Sequence, residues 1–209
     1  MAYFPMFIDL KDKLCVIVGG GIVAYRKITA LLEFEAKVVV IAPEICDKIL
    51  SLEGKIRILK KLYETIDIEK ATLVIAATND LNLNKRISNE CNDAKIPVNV
   101  VDCQKECSFI FPAYLKKGSV TIGVTSSGKS PIISQRIKRD IHKILPDYIE
   151  DLVEILGDVR EEVKSVFDTE EKRKKIFKQI VELGYLNKGK LTRNEIELII
   201  NKGKQEDLK

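Results

Sequence analysis

Asp102 is the first residue with a potential chemical role, because it ends the predicted strand Ile96–Val101. A carboxylate at the end of a strand can accept a proton as a general base or guide a metal ion. Aspartate at such a place also caps local backbone in many turns. The spacing alone leaves both interpretations open.

The second candidate is the glycine-rich turn in VGGGIVA, where Gly19, Gly21 and Ala24 occupy the small positions of G-x-G-x-x-A. The first glycine permits a sharp bend, the second lets the backbone approach a pyrophosphate, and the third small residue packs the helix onto the strand. The amides of Ile22 and Val23 would open the helix and face the phosphates. Because a strand precedes the turn and an amphipathic helix follows it, we favour dinucleotide binding over a plain turn.

Histidine and cysteine offer weaker candidates. His142 is the only histidine and falls midway along a basic predicted helix, where a surface or half-buried position is the simpler interpretation. Cys103 and Cys107 are too few for a zinc site, which normally has four ligands. We therefore predict no resident metal and favour packing roles for both thiols, with a transient metal contact as the alternative.

Strands and helices alternate at short intervals up to Asp102, which predicts an α/β fold with a Rossmann-type parallel sheet. The predicted strands cover residues 15–18, 37–42, 55–62, 71–77 and 96–101, and two of the predicted helices cover residues 43–52 and 83–94. Dinucleotides bind such sheets at the carboxyl ends of the strands. The segments expected to converge on one crevice are Gly19–Gly21, Ala42–Glu44, Thr78–Asn79 and Asp102.

The pattern changes after residue 107. Two strand-like runs, Ser108–Leu115 and Ser119–Thr125, predict a hairpin. Pro131 then starts a helix, whose apolar stripe is Ile133, Ile137, Ile141 and Ile144. Residues 147–209 show no strand pattern and predict helices, two of which begin at the apparent capping boxes Asp168–Glu171 and Thr192–Glu195.

Composition narrows the class of protein. The 209 residues are 45% hydrophobic and 32% charged, as is usual for a globular protein. Apolar runs are too short to span a bilayer, and the first ten residues do not resemble a signal peptide. The five cysteines suit reduced thiols, so we expect a cytoplasmic protein without a membrane partner. A net charge of +4 does not support nucleic-acid binding.

Four stretches together resemble the precorrin-2 dehydrogenase/sirohydrochlorin ferrochelatase family, the amino-terminal module of siroheme synthase. They are FPMFIDLKDKLCVIVGGGIVAYRK, VIAATNDLNLN, VNVVD followed by CSFIFPA, and VTSSGKSPIISQRIK. The resemblance implies NAD-dependent oxidation of precorrin-2 to sirohydrochlorin and, in some members, insertion of ferrous iron as a second substrate. It also implies a homodimer with an NAD-binding Rossmann domain at residues 1–113, a dimerisation region at 114–145 and a helical domain at 146–209.

The same resemblance assigns roles to individual positions. Those that match the cofactor site are Gly19, Gly21, Ile22 and Val23 for the NAD phosphates, Pro43 and Glu44 for the adenosine ribose, and Thr78 for the middle of the cofactor. Asp102 matches an aspartate implicated in both dehydrogenation and chelation, which favours its catalytic interpretation. Ser126 matches a position that is phosphorylated in some members.

The implied substrate is rich in carboxylates, so its site needs cations and amide donors. Lys129, Arg136 and Arg139, close to the Ser126–Ser130 turn, are the best local supply. For each of these cations taken singly, a solvated position on a helix face is as good an interpretation as substrate binding.

One feature departs from the general dinucleotide pattern. The acidic residue that holds the ribose hydroxyls normally closes the second strand about 20 positions after the glycines. Here the strand ends at Ile41–Pro43, and Glu44 follows one or two places late. No arginine lies nearby, which argues against NADP and leaves NAD as the expected cofactor.

Three other functions are compatible with the sequence. A dehydrogenase that leaves chelation to another protein would keep Asp102 as well. An NAD-binding Rossmann sensor or regulatory module without turnover needs the glycine turn but no strand-end carboxylate. A tetrapyrrole or metal carrier would bind precorrin-2 and never reduce NAD.

Overall fold

A parallel sheet of five strands forms the centre of the first of two compact units. The computed structural model describes residues 3–207, with side chains through residue 205. The first unit comprises the described residues up to Phe111 together with Thr125–Ser130. Its strands are β1 Leu14–Val18, β2 Lys37–Ile41, β3 Arg57–Leu59, β4 Leu73–Ala76 and β5 Val98–Val100, in the order β3-β2-β1-β4-β5. This is the predicted Rossmann-type sheet.

Short β-branched runs form the central strands because helices cover both of their faces. All four residues of β4 are buried, as is Cys15–Val18 in β1. The helices of this unit are α1 Ile22–Leu32, α2 Asp47–Leu50 and α3 Leu81–Asp93. Ala24, Ile28 and Leu31 turn one side of α1 into the core on one face of the sheet.

The strands end at one edge of the sheet, as predicted. Val18 pairs with Ile41 on one side and with Ala76 on the other, and Ala76 pairs with Val100. The segments that follow these four residues therefore leave the sheet side by side, where open α/β sheets bind their ligands.

The helix predicted over residues 43–52 is wrong in extent, because only Asp47–Leu50 is helical. Its first residues are held outside the helix by the glycine turn, and the Cys46 amide donates to the Gly20 carbonyl at 2.9 Å. Pro43 is compatible with a helix start, but this long-range contact overrides the local pattern.

The second unit contains the predicted hairpin and the carboxyl-terminal helices, and it comprises Pro112–Val124 and the residues from Pro131 onward. Its antiparallel strands are β6 Ala113–Lys117 and β7 Val120–Val124. Its helices are α4 Pro131–Ile144, α5 Ile149–Asp158, α6 Arg160–Val166, α7 Glu170–Leu186 and α8 Arg193–Asp207. The predicted strand start at Ser108 is wrong, because Ser108 bonds to Val98 instead: its amide donates to the Val98 carbonyl at 2.9 Å.

One of the two predicted capping boxes is confirmed. Thr192 and Glu195 bond reciprocally at the start of α8, where the Thr192 amide donates to the Glu195 carboxylate at 2.8 Å. At α7 the cap is Thr169 rather than Asp168, and its hydroxyl accepts from the Lys172 amide. The neighbouring aspartate instead pairs with the Lys172 side chain at 3.4 Å.

The apolar stripe of α4 is largely exposed. Ile133 is 56% exposed, Ile137 43% and Ile144 78%, whereas the residue that α4 buries is Ser134. In the described residues, no helix is both long and apolar enough to cross a membrane.

A polar cluster ties α3 to Tyr63, in the segment that follows β3. The Tyr63 hydroxyl donates to the Glu90 carboxylate at 2.6 Å, and Arg86 Nε donates to it at 2.7 Å. Burial alone would raise the pKa of Glu90, but these hydrogen bonds outweigh burial and hold the pKa below its ordinary 4.5. Glu90 therefore stabilises the fold above pH 4.5, and this contribution is lost as the pH falls through the lowered pKa.

Glu90→Gln is expected to lower the free energy of unfolding at pH 7 by about 1–3 kcal/mol, because hydrogen bonds to the charged carboxylate are lost. Urea titrations at pH 7 and pH 3 measure the effect, and the deficit should shrink at pH 3. The exposed Glu53 provides the control variant Glu53→Gln, which should differ little from the parent. A deficit for Glu90→Gln that is equal at both pH values would contradict the assignment.

Candidate functional site

Two glycines fix the turn between β1 and α1. Gly19 has φ 131°, and a Cβ added to it would overlap the Ala77 carbonyl. A Cβ on Gly20 would overlap the Glu44 carbonyl in the same way. The turn is therefore wedged between the segments that follow β2 and β4. Gly20, which the dinucleotide pattern leaves unspecified, is as restricted by packing as Gly19.

Gly21 faces open space instead, and a Cβ placed there would meet no atom within 4 Å. It is the N-cap of α1 and makes no side-chain cap, and the first turn of the helix holds no acidic residue. Ile22 and Val23 are 44% and 40% exposed at this end. The first amides of α1 thus have room for an anion, and the helix dipole favours one there.

Pro43 and Glu44 are both exposed beside the glycine turn. Glu44 lies three residues after β2, and its backbone carbonyl contacts Gly20. The bend at Pro43 and Glu44 brings the late acidic residue next to the turn. A carboxylate there can accept hydrogen bonds from hydroxyl groups of a ribose.

Asn84 fixes the segment after β4, a role that the sequence did not indicate. Its side chain is 2% exposed, and its oxygen accepts from the Thr78 hydroxyl at 2.7 Å and from the Thr78 amide at 3.2 Å. Its Nδ2 donates to the Thr78 carbonyl at 2.9 Å. Asn84 thereby holds Thr78, the predicted cofactor contact, in one position. The sequence feature that could have indicated this role is the position of Asn84 on the inner side of the first turn of α3, where a buried polar group needs a hydrogen-bond partner.

Asp102 lies two residues after β5 at the same edge of the sheet, and the preceding Val101 amide donates to the Ala76 carbonyl at 2.9 Å. Asp102 has φ 58°, in the left-handed region that few non-glycine residues occupy. Aspartate tolerates this conformation better than most residue types, and Asp12 has it too, with φ 59°.

The Asp102 carboxylate is exposed and, within the described part of the chain, accepts no hydrogen bond and pairs with no cation. A turn aspartate that caps its own backbone accepts amide hydrogen bonds, as Asp80 does from Asn82 and Leu83. The geometry therefore disfavours the capping interpretation of Asp102. Its carboxylate is available to a ligand.

Cys107 anchors the segment that follows Asp102. Its sulfur accepts from the Val100 amide at 3.1 Å, and its thiol lies within 3.3 Å of the Cys103 carbonyl. Burial raises the pKa of the Cys107 thiol, so this sulfur stays neutral. Among the described residues, no group of three or more histidine, cysteine or acidic side chains could hold a metal ion.

Lys27 is a second residue that the sequence did not indicate. Its ammonium lies 3.9 Å above the centre of the Phe111 ring, beside Cys107. Burial lowers the pKa of Lys27, and no carboxylate among the described residues lies within ion-pair distance of it. This ammonium packs α1 against the segment that follows β5 through a cation–π contact.

The Ser126–Ser130 turn belongs to the first unit and satisfies most of its own amides. The amides of Ser127, Lys129 and Ser130 donate to the Thr125 hydroxyl, the Ser126 carbonyl and the Ser126 hydroxyl, at 3.1, 3.1 and 2.9 Å. The turn therefore offers an anion fewer amide donors than the sequence suggested. The Lys129 side chain is exposed.

The other two predicted substrate cations are on α4, in the second unit. Arg136 and Arg139 are both exposed, and Arg136 Nε donates to the Asp140 carboxylate at 2.9 Å. His142 is exposed on the same helix. The structure thus gathers the predicted cofactor residues and Asp102 along one edge of the sheet, with Ser126 and Lys129 in the same unit.

Comparison with known proteins adds three kinds of finding, which concern a family, two relatives and a solved structure. Residues 6–113 match the family described as putative NAD(P)-binding. The chain is 38% identical over 176 residues to a siroheme synthase of Ruthia magnifica subsp. Calyptogena magnifica, which covers 83% of the chain and 37% of that protein. It is 37% identical over 182 residues to a siroheme synthase of Buchnera aphidicola subsp. Acyrthosiphon pisum (strain APS), which covers 86% of the chain and 38% of that protein.

The third finding concerns a solved structure. The structure of SirC, a precorrin-2 dehydrogenase, has the same fold with a TM-score of 0.78 at 22% identity, covering 97% of this chain and 100% of that one. The chain spans less than half the length of the curated relatives above.

Proposed function

Because this chain belongs to the putative NAD(P)-binding family, we propose that it is an NAD-dependent dehydrogenase that oxidises precorrin-2 to sirohydrochlorin. The names of the siroheme synthase relatives support the tetrapyrrole substrate. The observation that carries the proposal is the unpartnered, left-handed Asp102 at the same sheet edge as the glycine turn. A module that only bound NAD would have no use for this carboxylate.

The residues present fit a dinucleotide. The space beside Gly21 and the uncapped amides of Ile22 and Val23 suit a pyrophosphate. Pro43 and Glu44 would hold the adenosine ribose, and Thr78 would contact the middle of the cofactor. Glu44 beside the turn favours NAD, because a ribose 2′-phosphate would meet its negative charge. NAD, when bound, supplies the hydride acceptor.

Asp102 would serve as the general base. Oxidation of precorrin-2 removes one hydride and one proton, and the hydride acceptor leaves the proton to be taken elsewhere. The carboxylate has no competing donor in the described chain, so it can take up this proton. If the protein also inserts ferrous iron as a second substrate, the same carboxylate would take up pyrrole protons or guide the metal.

Cationic side chains are expected to bind the carboxylates of the substrate. Lys129 and Ser126 lie in the unit that carries Asp102, whereas Arg136 and Arg139, which stay predicted substrate contacts, are on α4 in the second unit. Arg136 would have to exchange its Asp140 partner for a substrate carboxylate, and the paired side chains are exposed enough for this exchange to cost little.

The deciding experiment is anaerobic incubation of the full chain with precorrin-2 and NAD, while NADH absorbance is followed. We expect NADH with NAD and much less NADPH with NADP. Ferrous iron is then added to the product, and siroheme formation tests the second activity. Absence of NADH despite measurable NAD binding would refute the dehydrogenase and favour a sensor or a carrier.

We also propose that the protein is a cytoplasmic homodimer that uses the exposed isoleucines of α4. In this stripe Ile137 is 43% and Ile144 is 78% exposed. A contiguous apolar surface that is exposed in one chain marks an interaction site. Ile137→Lys would place a charge in the interface and is expected to raise the dimer dissociation constant about a hundredfold. Sedimentation equilibrium measures this constant.

Gln135→Lys is the matched control for the dimer, because it adds the same charge to α4 outside the stripe. It should leave the dissociation constant close to that of the parent. A monomeric parent protein, or equal effects of the two lysines, would refute this interface.

A further inference from the structure

Gln104 follows Asp102 by two residues and reaches the Ser126–Ser130 turn. Its Nε2 donates to the Ser127 carbonyl at 2.9 Å and to the Tyr3 hydroxyl at 3.2 Å. One amide group thus joins the Asp102 segment to two other stretches of the first unit, separated from it in sequence by 23 and 101 residues.

The backbone at Gly128 packs closely against the same Gln104 side chain. It has φ 77°, and a Cβ added to it would overlap the Gln104 amide oxygen. Ser127 is also left-handed, with φ 55°. Two consecutive residues in this conformation are unfavourable unless tertiary contacts hold them, and Gln104 supplies both a hydrogen bond and a packing surface.

Most of the turn's remaining hydrogen bonds are internal. Ser127, Lys129 and Ser130 direct their amides to Thr125 and Ser126. Across the described residues, the bond from Gln104 to Ser127 is the hydrogen bond that joins residues 126–129 to residues 101–107. The internal bonds keep the turn's shape, whereas Gln104 sets its position.

We propose that Gln104 is a positioning residue that holds Ser126 and Lys129 at a fixed place beside Asp102, so that they can receive the carboxylates of the substrate. The inference rests on the proposed function for the identity of that substrate. Gln104 acts through the turn and does not itself touch the reacting atoms. Its loss should weaken substrate binding while the NAD site and the proton acceptor stay intact.

Two variants separate the hydrogen bond from the packing. Gln104→Ala removes both, and Gln104→Met keeps a side chain of similar length against Gly128 without a donor. Both are expected to raise KM for precorrin-2 about tenfold, as the loss of one to two hydrogen bonds predicts, with KM for NAD and kcat changed less than about twofold. Tyr3→Phe, which removes one of the two acceptors of the Gln104 amide, should have a smaller effect. Gln205→Ala, at an exposed glutamine of α8, is the matched control.

Hydrogen exchange gives a readout without turnover. Peptides that cover residues 125–131 should exchange about tenfold faster in Gln104→Ala and Gln104→Met, whereas peptides from β1 and β4 should keep the parent rates. If Gln104→Met matches the parent in KM and exchange, the hydrogen bond has no positioning role and the inference is overturned. A collapse of kcat and NAD binding would also overturn it, because the role would then be general stability. If the parent protein forms no NADH, the proposed function fails. Hydrogen exchange alone then still tests whether Gln104 holds the Ser126–Ser130 turn in place.

Discussion

Replacement of Asp102 by asparagine is expected to lower kcat for precorrin-2 oxidation by about 10²–10⁴-fold, the usual contribution of a positioned general base. Asparagine suits this test because it tolerates the left-handed backbone at φ 58° nearly as well as aspartate. The side chain keeps its size but loses its negative charge and, with it, its ability to take a proton. Stopped-flow NADH absorbance gives kcat, and calorimetry gives the NAD dissociation constant, which should stay within about twofold of the parent.

The exposed Asp93 at the end of α3 supplies the matched control, Asp93→Asn, which removes the same charge from the same unit. It should retain parent kinetics. Asp102→Ala should also lose turnover and still bind NAD, with an added backbone cost because alanine disfavours positive φ. If Asp102→Asn turned over at the parent rate, the proton acceptor would have to be sought elsewhere.

The second prediction with a large expected effect distinguishes the roles of two adjacent glycines, Gly20 and Gly21. Gly21→Ala is expected to leave the melting temperature unchanged, since its φ of −91° suits alanine and no atom lies within 4 Å of the new methyl group. The methyl would stand where the pyrophosphate must approach, so the NAD dissociation constant should rise about tenfold or more. Calorimetric NAD titration and thermal unfolding provide the two measurements.

Gly20→Ala should destabilise the protein, unlike Gly21→Ala. Its methyl overlaps the Glu44 carbonyl in the free protein, so it should lower the free energy of unfolding by about 1–3 kcal/mol, as overpacking does. Weaker NAD binding would then follow from a distorted turn. Tight NAD binding by a stable Gly21→Ala protein would show that the cofactor does not lie against this turn.

Much of the fold follows from local patterns in the sequence. Short β-branched runs alternate with amphipathic helices, and this alternation is typical of strands buried between helices in a parallel sheet. The carboxyl ends of parallel strands meet at one edge, so the sequence also indicates that the glycine turn, Glu44, Thr78 and Asp102 share an edge. The hairpin and the later helices follow from period-two alternation and from caps such as Thr192 with Glu195.

Contacts between distant residues decided the rest. The Gly20 carbonyl holds Cys46 and shortens a predicted helix. Asn84 fixes Thr78, and Gln104 reaches a turn 23 residues away. These bonds depend on where the backbone arrives in space, which side-chain type and spacing do not encode locally.

The sequence by itself determined the fold class and which residues would meet at the edge of the sheet, because periodicity and strand direction are local properties. Only the tertiary structure showed that Asp102 has no capping partner in the described chain, that the Ser126–Ser130 turn uses three of its own amides, and that the α4 stripe is exposed. The physical reason is that the partners and exposure of a side chain depend on the whole surrounding packing, and the amphipathic pattern of α4 is the same whether its apolar side faces a core or a surface.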